Sequence, residues 1–188
     1  MNFEADSDPR IWLDLAGMCA GAAWVPSPNH DERPADARIE LVVIHAISLP
    51  PGEFGGPYVT DLFLNRLDPQ AHPYFREIEG LQVSSHFFIG RDGALIQYVP
   101  CELRAWHAGV SSWRGRERCN DFSIGIELEG SDDVPFEEPQ YATLEALLAA
   151  LRERYGALDV AGHSDIAPGR KTDPGPFFDW ARIHAPGA

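Results

Sequence analysis

The chain has 188 residues, of which 44% are hydrophobic and 23% are charged. A chain of this length is expected to form one domain whose core folds without a disulfide or a structural metal. The formal net charge of −14 repels phosphate backbones and anionic lipids, which argues against a nucleic-acid partner and against a membrane-surface role.

The N-terminal part and the cysteines bear on the cellular compartment. Residues 1–17 carry acidic side chains where a secretory signal peptide would carry basic ones, and no apolar stretch approaches the length of a membrane span. Cys19, Cys101 and Cys119 are scattered without a C-x-x-C pair, so we expect small buried hydrophobic residues in a reducing compartment. Together these features predict a cytoplasmic protein.

The first third of the chain predicts one long strand between irregular segments. Residues up to about 38 are mixed in character and predict an extended arm or loop. β-Branched and aliphatic residues run almost unbroken over 39–47, the pattern of a strand buried on both faces, with His45 near its far end. The Pro- and Gly-rich residues 48–57 predict a loop, and apolar residues at helical spacing over 58–67 predict a helix.

The middle of the chain predicts three further strands. Residues 84–90 and 94–100 form a hairpin pattern around an Arg-Asp-Gly turn. Residues 104–120 form a long aromatic and basic connection, which is expected to line a site. Residues 121–130 alternate between an apolar and a polar face. The apolar positions are Phe122, Ile124, Ile126 and Leu128, and the polar positions are Ser123, Gly125, Glu127 and Glu129.

The last third predicts one long helix and a short strand. Leucines at helical spacing make an apolar stripe over 138–156, and Gly156 marks the C-terminal end of this helix. A short strand over 158–163 follows. Strands interspersed with helices predict an α+β fold, a single domain with a central mixed β-sheet flanked by helices.

Residues 162–175, GHSDIAPGRKTDPG, combine ionisable groups with glycines and prolines, and we expect a loop without helix. Catalytic zinc takes three protein ligands and keeps one position open. The sequence lacks an H-E-x-x-H helix, so ligands would come from strand ends and loops, where His45 and His163 are best placed. Extended backbone before Pro174 would direct Lys171 and Asp173 to the same side.

Three separated motifs carry a family resemblance: VIHAISLPPGEFGG, RAWHAGVSSWRGRERCNDFSIGIELEG and GHSDIAPGRKTDPGPFFDWAR. In this order they closely resemble the AmpD family of cytoplasmic zinc amidases, which cleave anhydro-N-acetylmuramoyl-L-alanine. The resemblance covers about residues 23–183. It implies the three-layer αβα fold of peptidoglycan recognition proteins, with residues 1–22 as an N-terminal extension and 23–188 as the amidase domain.

The resemblance also implies the chemistry of the site. It implies that His45, His163 and Asp173 bind one Zn²⁺ per chain and that Glu127 and Lys171 are catalytic. Glu127 would exchange a proton with the attacking water and the leaving amine. We expect Gly125 to leave room beside it for substrate or water, and Lys171 to stabilise the oxyanion. The implied substrate is a muropeptide, cleaved between N-acetylmuramic acid and L-alanine during cell-wall recycling. We expect the protein to be a monomer.

Five further positions are candidates for substrate binding. Arg118 matches a family position that binds the peptide carboxylate, for which a guanidinium is well suited. Trp106 and His107 lie in the long connection and are expected to form a wall of the cleft. The family pattern has asparagine at Ala46 and arginine at Gln82, so this chain lacks a hydrogen-bonding group and a charge there.

Other readings of the same residues remain open. His163, Asp165 and His184 could form the facial triad of a non-haem iron oxygenase, which metal content would distinguish. A muropeptide-binding module on the same fold would bind the substrate without hydrolysing it. Among the remaining polar residues, we expect His86 to be a hydrogen-bonded core residue and Glu129 to be solvated.

Overall fold

The computed structural model describes residues 11–183. Within this range the strands are β1 Trp12–Leu13, β2 Cys19–Ala20, β3 Ala23–Trp24, β4 His30–Glu32, β5 Leu41–Ile47, β6 Phe87–Ile89, β7 Leu95–Gln97, β8 Leu103–Ala105, β9 Ser112–Trp113, β10 Arg116–Glu117, β11 Ser123–Glu129 and β12 Asp159–Gly162. The helices are α1 Tyr58–Phe63, α2 Glu138–Tyr155, α3 His163–Ile166 and α4 Trp180–Ile183, with 3₁₀ turns at Pro73–Arg76 and Cys119–Asp121.

A six-stranded mixed sheet forms the centre of the domain. Its strand order is β12-β5-β11-β6-β7-β3. Neighbouring strands from β12 to β6 run parallel, β6 and β7 form the predicted antiparallel hairpin, and β3 adds in parallel to β7. The prediction of a mixed central sheet is confirmed.

Helices cover both faces of this sheet. On one face the leucine stripe of α2 packs against the apolar side chains of β11 and its neighbours. On the other face, α1 packs near β6 in a second apolar cluster, and Ile166 of α3 joins a third. The three-layer, single-domain arrangement predicted from the sequence is therefore confirmed, and the long helix is present as Glu138–Tyr155.

The two central strands are buried along most of their length. β11 is buried at all seven positions because β5 and β6 pair with it on either side and helices or loops cover both faces. The polar face of β11 therefore points into the protein. The expectation of a solvated Glu129 is wrong: its carboxylate is buried and accepts hydrogen bonds from the backbone N–H groups of Gly55 and Arg91.

Several predicted elements differ in extent: the hairpin strands are shorter than predicted, and the predicted N-terminal arm contains the short strands β1–β4. α1 ends at Phe63, before residues 64–67, and Asn65 adopts a left-handed backbone conformation there. The long connection contains the short hairpin β9–β10. The loop over 162–175 contains one helical turn, α3, because Asp165 accepts a hydrogen bond from the backbone of Gly162 and caps the turn. After α3, Ala167 is the C-cap residue, and Pro168 and Gly169 follow it.

The segment before residue 23 contacts the domain where it is described. Ile11 and Leu13 pack against the main core and Cys19 is part of it, while residues 1–10 and 184–188 lie outside the described residues. The proposed boundary between residues 22 and 23 stays a prediction. All three cysteines are free and buried, as expected. None of the helices that the structure describes combines the length and apolar composition needed to cross a lipid bilayer.

Candidate metal centre and active site

Three predicted ligands converge at one edge of the sheet. β5 and β12 are adjacent and parallel, and Gly162 pairs with Ile44, so His163 follows directly beside His45. Their Nδ1 atoms are 3.0 Å apart. The Oδ2 atom of Asp173 lies 3.2 Å from Nδ1 of His45 and 3.1 Å from Nδ1 of His163. The structure thus brings together the three residues predicted as metal ligands.

The donor atoms of this triad suit a small divalent cation. Zinc bonds to imidazole nitrogen and carboxylate oxygen are about 2.0–2.2 Å long, which places ligand atoms about 3–3.5 Å apart. Nε2 of His163 lies 3.2 Å from the carbonyl oxygen of Ala108, which can only accept, so Nε2 carries the proton. Nδ1 of His163 therefore presents a lone pair to the shared point, as a metal ligand must.

Burial and mutual contacts set the charge states of His45 and Asp173. Burial lowers the pKa of His45 to about 4, although the nearby Asp173 carboxylate acts in the opposite direction. For Asp173, burial alone would raise the pKa, but the contacts with His163 and His45 outweigh it and lower the pKa well below the ordinary value. A neutral imidazole and an ionised carboxylate at neutral pH are the forms that bind metal.

Glu127 lies next to this triad on the neighbouring strand. It pairs with His45 in the parallel register of β5 and β11, so the two side chains share one face of the sheet. Its Oε2 atom is buried without a hydrogen-bond partner. Burial and the negative charge of Asp173 raise the pKa of Glu127 well above its ordinary value, while the charge of Lys171 opposes this shift. The carboxyl group is thus prepared to hold and release a proton.

A cavity of about 510 Å³ opens above these side chains. Its polar lining includes the triad, Glu127 and Lys171. Its apolar lining includes Leu62, Phe63, Tyr74, Ile78, Leu81 and Val83. A cavity with a largely apolar lining and a few converging polar groups is typical of a small-molecule site.

The five predicted substrate contacts are divided between three pockets. Ala46, Trp106 and His107 line the cavity of the triad. Gln82 lines an adjoining pocket of about 120 Å³, which shares Leu62, Ile78 and Leu81 with that cavity. Arg118 lines a pocket on the other side of Arg170 and forms an ion pair of 3.1 Å with Asp121. The structure therefore does not bring Gln82 and Arg118 to the metal ligands.

The expectation that Gly125 leaves room for substrate or water is wrong. A Cβ atom built at this position would lie 2.5 Å from Cγ of His107. The space beside Gly125 is therefore filled by the His107 ring, which is buried and bridges towards His45. Gly125 is needed because no larger residue fits under that ring.

Arg170 and Ser123 are polar residues in or next to the site that the sequence did not indicate as functional. Arg170 lines the cavity and donates hydrogen bonds to the carbonyl oxygens of Ala108 and Val110. Its position beside Lys171 in a loop with two predicted ligands was the available signal. Ser123 was assigned only to a strand face, and nothing in its neighbours indicates that it contacts His107.

Within the described residues, the two predicted members of the alternative facial triad, His163 and Asp165, do not face a common point. The carboxylate of Asp165 faces the backbone of Gly162 as a helix cap, whereas Nδ1 of His163 faces Asp173. His184 lies outside the described residues. His86, as expected, is a core histidine: it is fully buried, its Nδ1 accepts from the backbone of Gly125, and its Nε2 faces the carbonyl oxygen of Leu103.

Comparison with known proteins identifies the family of this chain. The N-acetylmuramoyl-L-alanine amidase family model matches residues 35–176. The 1,6-anhydro-N-acetylmuramyl-L-alanine amidase AmpD of Enterobacter cloacae is 58% identical over 171 residues, which cover 90% of this chain and 91% of that protein. A crystal structure of a selenomethionine AmpD derivative superposes with a TM-score of 0.89 at 58% identity, over 92% of this chain and 97% of the other.

A more distant neighbour was solved with its substrate. The amidase AmiD of Escherichia coli, in complex with anhydro-N-acetylmuramic acid-L-Ala-D-γ-Glu-L-Lys, has a TM-score of 0.57 and 32% identity. The match covers 81% of this chain and 59% of AmiD. The family match spans most of the chain and includes every member of the metal triad as well as Glu127 and Lys171. The chain belongs to the N-acetylmuramoyl-L-alanine amidase family.

Proposed function

We propose that this chain hydrolyses the amide bond between 1,6-anhydro-N-acetylmuramic acid and L-alanine in muropeptides, with one zinc ion held by His45, His163 and Asp173. The observation that carries the proposal is the convergence of these three ligand atoms next to the buried, unpartnered carboxyl of Glu127. The AmpD relatives, which match at 58% identity over 90% of this chain, support this substrate.

A zinc ion held by His45, His163 and Asp173 would serve as a Lewis acid, which lowers the pKa of bound water and polarises the amide carbonyl. Glu127 accepts a proton from the water as it attacks the carbonyl carbon. It returns that proton to the L-alanine nitrogen as the C–N bond breaks. The products are a lactyl carboxylate on the sugar and a peptide with a free amino terminus, so the step balances with water alone.

Lys171 is proposed to stabilise the negative charge that develops on the carbonyl oxygen. It lines the same cavity as Glu127, and its charge acts on both Glu127 and His45. A cation that is already positioned where charge develops stabilises the transition state without reorganisation. Lys171 also opposes the rise in the pKa of Glu127, which keeps this carboxyl able to accept a proton.

The substrate contacts are proposed in two zones. Ala46 and Trp106 line the cavity close to the metal ligands and would face the bond to be cleaved. Gln82 and Arg118 lie in the neighbouring pockets and would contact the more distant parts of the muropeptide. Tyr74 and the other apolar residues that line the cavity would contact the uncharged faces of the sugar and peptide.

The setting of the reaction is also a proposal. We place the enzyme in the cytoplasm, as a monomer that recycles soluble cell-wall fragments. Free buried cysteines are compatible with a reducing compartment, and the net charge of −14 disfavours binding to nucleic acid or anionic membranes. Light scattering on the purified protein tests the oligomeric state.

The test is a product analysis with a defined muropeptide. Purified protein is incubated with anhydro-N-acetylmuramic acid-L-Ala-D-γ-Glu-L-Lys, and the products are identified by mass spectrometry. We expect free L-Ala-D-γ-Glu-L-Lys and anhydro-N-acetylmuramic acid. Binding of the intact muropeptide without cleavage would contradict the proposal and favour a binding module.

A further inference from the structure

A chain of three contacts runs behind the candidate ligand His45. Nε2 of His45 lies 2.9 Å from Nδ1 of His107. Nε2 of His107 lies 3.2 Å from Oγ of Ser123. The Ser123 hydroxyl in turn donates a hydrogen bond of 2.6 Å to the carbonyl oxygen of Cys119. Both histidines and Ser123 are buried, so each polar atom depends on this chain for its partner.

The direction of every hydrogen bond follows from the carbonyl end. The carbonyl oxygen of Cys119 can only accept, so the Ser123 hydroxyl proton points to it. Oγ of Ser123 then accepts from the other side, and Nε2 of His107 must carry a proton. A neutral imidazole has one N–H group, so Nδ1 of His107 is an acceptor.

The last bond of the chain determines the tautomer of His45. Because Nδ1 of His107 accepts, Nε2 of His45 donates to it. Nδ1 of His45 therefore keeps a lone pair, and this lone pair faces Nδ1 of His163 and the carboxylate of Asp173. In the other tautomer, a proton on Nδ1 would occupy the point at which the three ligand atoms converge.

Packing holds the His107 ring in place for this role. The ring lies 5.1 Å from the His45 ring, centroid to centroid, at an interplanar angle of 85°. Gly125 supports it from below, since any Cβ atom at that position would collide with it. The His86 ring lies 5.8 Å away on the other side and makes its hydrogen bonds to Gly125 and Leu103 instead.

We propose that His107 and Ser123 are positioning residues that hold His45 in its Nε2-protonated tautomer and thereby set the metal affinity of the site. This inference rests on the proposed zinc site and extends it. Histidine ligands in metal sites usually donate their second N–H to a carboxylate, a carbonyl or water. Here His107 accepts the second N–H of His45. The protonation of His107 is fixed in turn by Ser123, whose hydroxyl donates to the carbonyl oxygen of Cys119.

Zinc affinity is the first test, measured by competition with a chromophoric chelator. We expect His107→Leu to weaken zinc binding by about 10–100-fold, the usual loss when an outer partner of a ligand is removed. Ser123→Ala should weaken it less, because His107 remains but is free to change tautomer. Ser85→Ala is the matched control, since the Ser85 hydroxyl also donates to a buried carbonyl, that of Gly125, outside the chain of contacts.

The results separate this inference from the proposed function. Failure of the unaltered protein to bind zinc would overturn the metal site itself. Zinc binding by the unaltered protein with equal affinity in His107→Leu would overturn only the positioning role. A loss in Ser85→Ala as large as that in Ser123→Ala would likewise overturn it, because general loosening of the core would then explain both.

A spectroscopic test gives its main result on the unaltered protein and uses a variant only for comparison. Long-range ¹H–¹⁵N correlation spectra of the metal-free protein at pH 7.5 distinguish the two nitrogens of each histidine ring. We expect His45 and His107 both to carry their proton on Nε2. In Ser123→Ala, we expect His45 to show a mixture of the Nε2- and Nδ1-protonated tautomers. A proton on Nδ1 of His45 in the unaltered protein would overturn the inference.

Discussion

Both faces of β11 are buried, but they carry different kinds of side chain. Ile124, Ile126 and Leu128 point into the apolar layer beneath α2 and are fully enclosed. The opposite face carries Ser123, Gly125, Glu127 and Glu129, and it is enclosed almost as completely. Alternation along a strand therefore reports the polarity of each face, whereas exposure depends on what the rest of the fold places over it.

We expect the apolar face of β11 to serve stability and the polar face to serve metal binding and catalysis. Changes on the apolar face should affect the free energy of unfolding and leave the chemistry intact. Changes on the polar face should affect metal binding or turnover, except where a side chain serves only the fold. The predictions below test that division in order of decreasing expected effect.

Ile126→Ala should lower the free energy of unfolding by about 2–5 kcal/mol, the range for removing a large side chain from a close-packed core. Leu147→Ala, in α2 on the same core, is the matched variant on the helix side and should behave similarly. Urea unfolding measures both. A fall in kcat of more than about tenfold in the fully folded Ile126→Ala protein would show that the two faces are not independent.

Glu127→Gln should lower kcat by roughly 10² or more, because the amide cannot accept the proton of water, and zinc should stay bound. Lys171→Ala should cost a similar factor through the lost stabilisation of the oxyanion. Steady-state kinetics on the anhydro-muropeptide, together with zinc analysis, check both variants.

Glu129→Gln is the control for Glu127→Gln on the same face. Its carboxylate is buried but holds the backbone of Gly55 and Arg91 and does not line the cavity. We expect Glu129→Gln to lower the free energy of unfolding and to leave kcat within about threefold of the unaltered enzyme. A threefold change in kcat corresponds to less than about 1.4 kcal/mol of activation free energy, the value for a tenfold change. Near-normal kcat in Glu127→Gln, or a large loss in Glu129→Gln, would reverse the assignment.

The histidines beneath the polar face should make the metal-free protein sensitive to mild acid. Burial lowers the pKa of His45 to about 4 and lowers the pKa values of His86 and His107 well below the ordinary value. Below about pH 6.5 the unfolded chain therefore binds protons that the folded chain does not. Stability should fall by about 1.4 kcal/mol per pH unit for each such histidine.

Glu127 has the opposite effect on the free energy of unfolding in the same pH range. Its raised pKa means that the folded protein holds a proton that the unfolded chain has released above about pH 4.5. Glu127→Gln should therefore steepen the fall in stability between pH 6.5 and 5. Urea unfolding at several pH values measures both slopes, and a flat profile in the metal-free protein would contradict the burial of neutral histidines.

The smallest changes in kcat/KM are expected for substitutions at Ala46 in the cavity and at Gln82 in the adjoining pocket. Ala46→Asn introduces an amide next to His45, and one added neutral hydrogen bond of about 0.5–1.5 kcal/mol would raise kcat/KM by several-fold to about tenfold. Gln82→Arg should act in the same direction, more strongly at low salt, if a substrate carboxylate reaches the adjoining pocket. Unchanged or lower kcat/KM in both variants would indicate a site adapted to a different muropeptide.

The sequence predicted the elements whose pattern is strong and local. The aliphatic run of β5, the alternation of β11 and the leucine stripe of α2 each correspond to an element of the structure. The metal triad was predicted through the family motifs, and the parallel pairing of β5 with β12 brings its two histidines together.

Properties that depend on packing between distant segments could not be predicted. Glu129 appeared solvated because its partners, Gly55 and Arg91, are far away in the chain. Gly125 appeared to leave space that His107, from another segment, fills. The helical turn α3 depends on the capping contact between Asp165 and Gly162 within a segment rich in helix-breaking residues.

One measurement tests the metal site on the polar face most directly. Metal-free protein, prepared with a chelator, is titrated with zinc while hydrolysis of the anhydro-muropeptide is followed, and the double variant His45→Ala, Asp173→Ala is treated in parallel. We expect activity to be absent without metal and restored at about one zinc per chain, with no restoration in the folded double variant. Full activity without metal, or full restoration in the double variant, would contradict a zinc site at His45, His163 and Asp173.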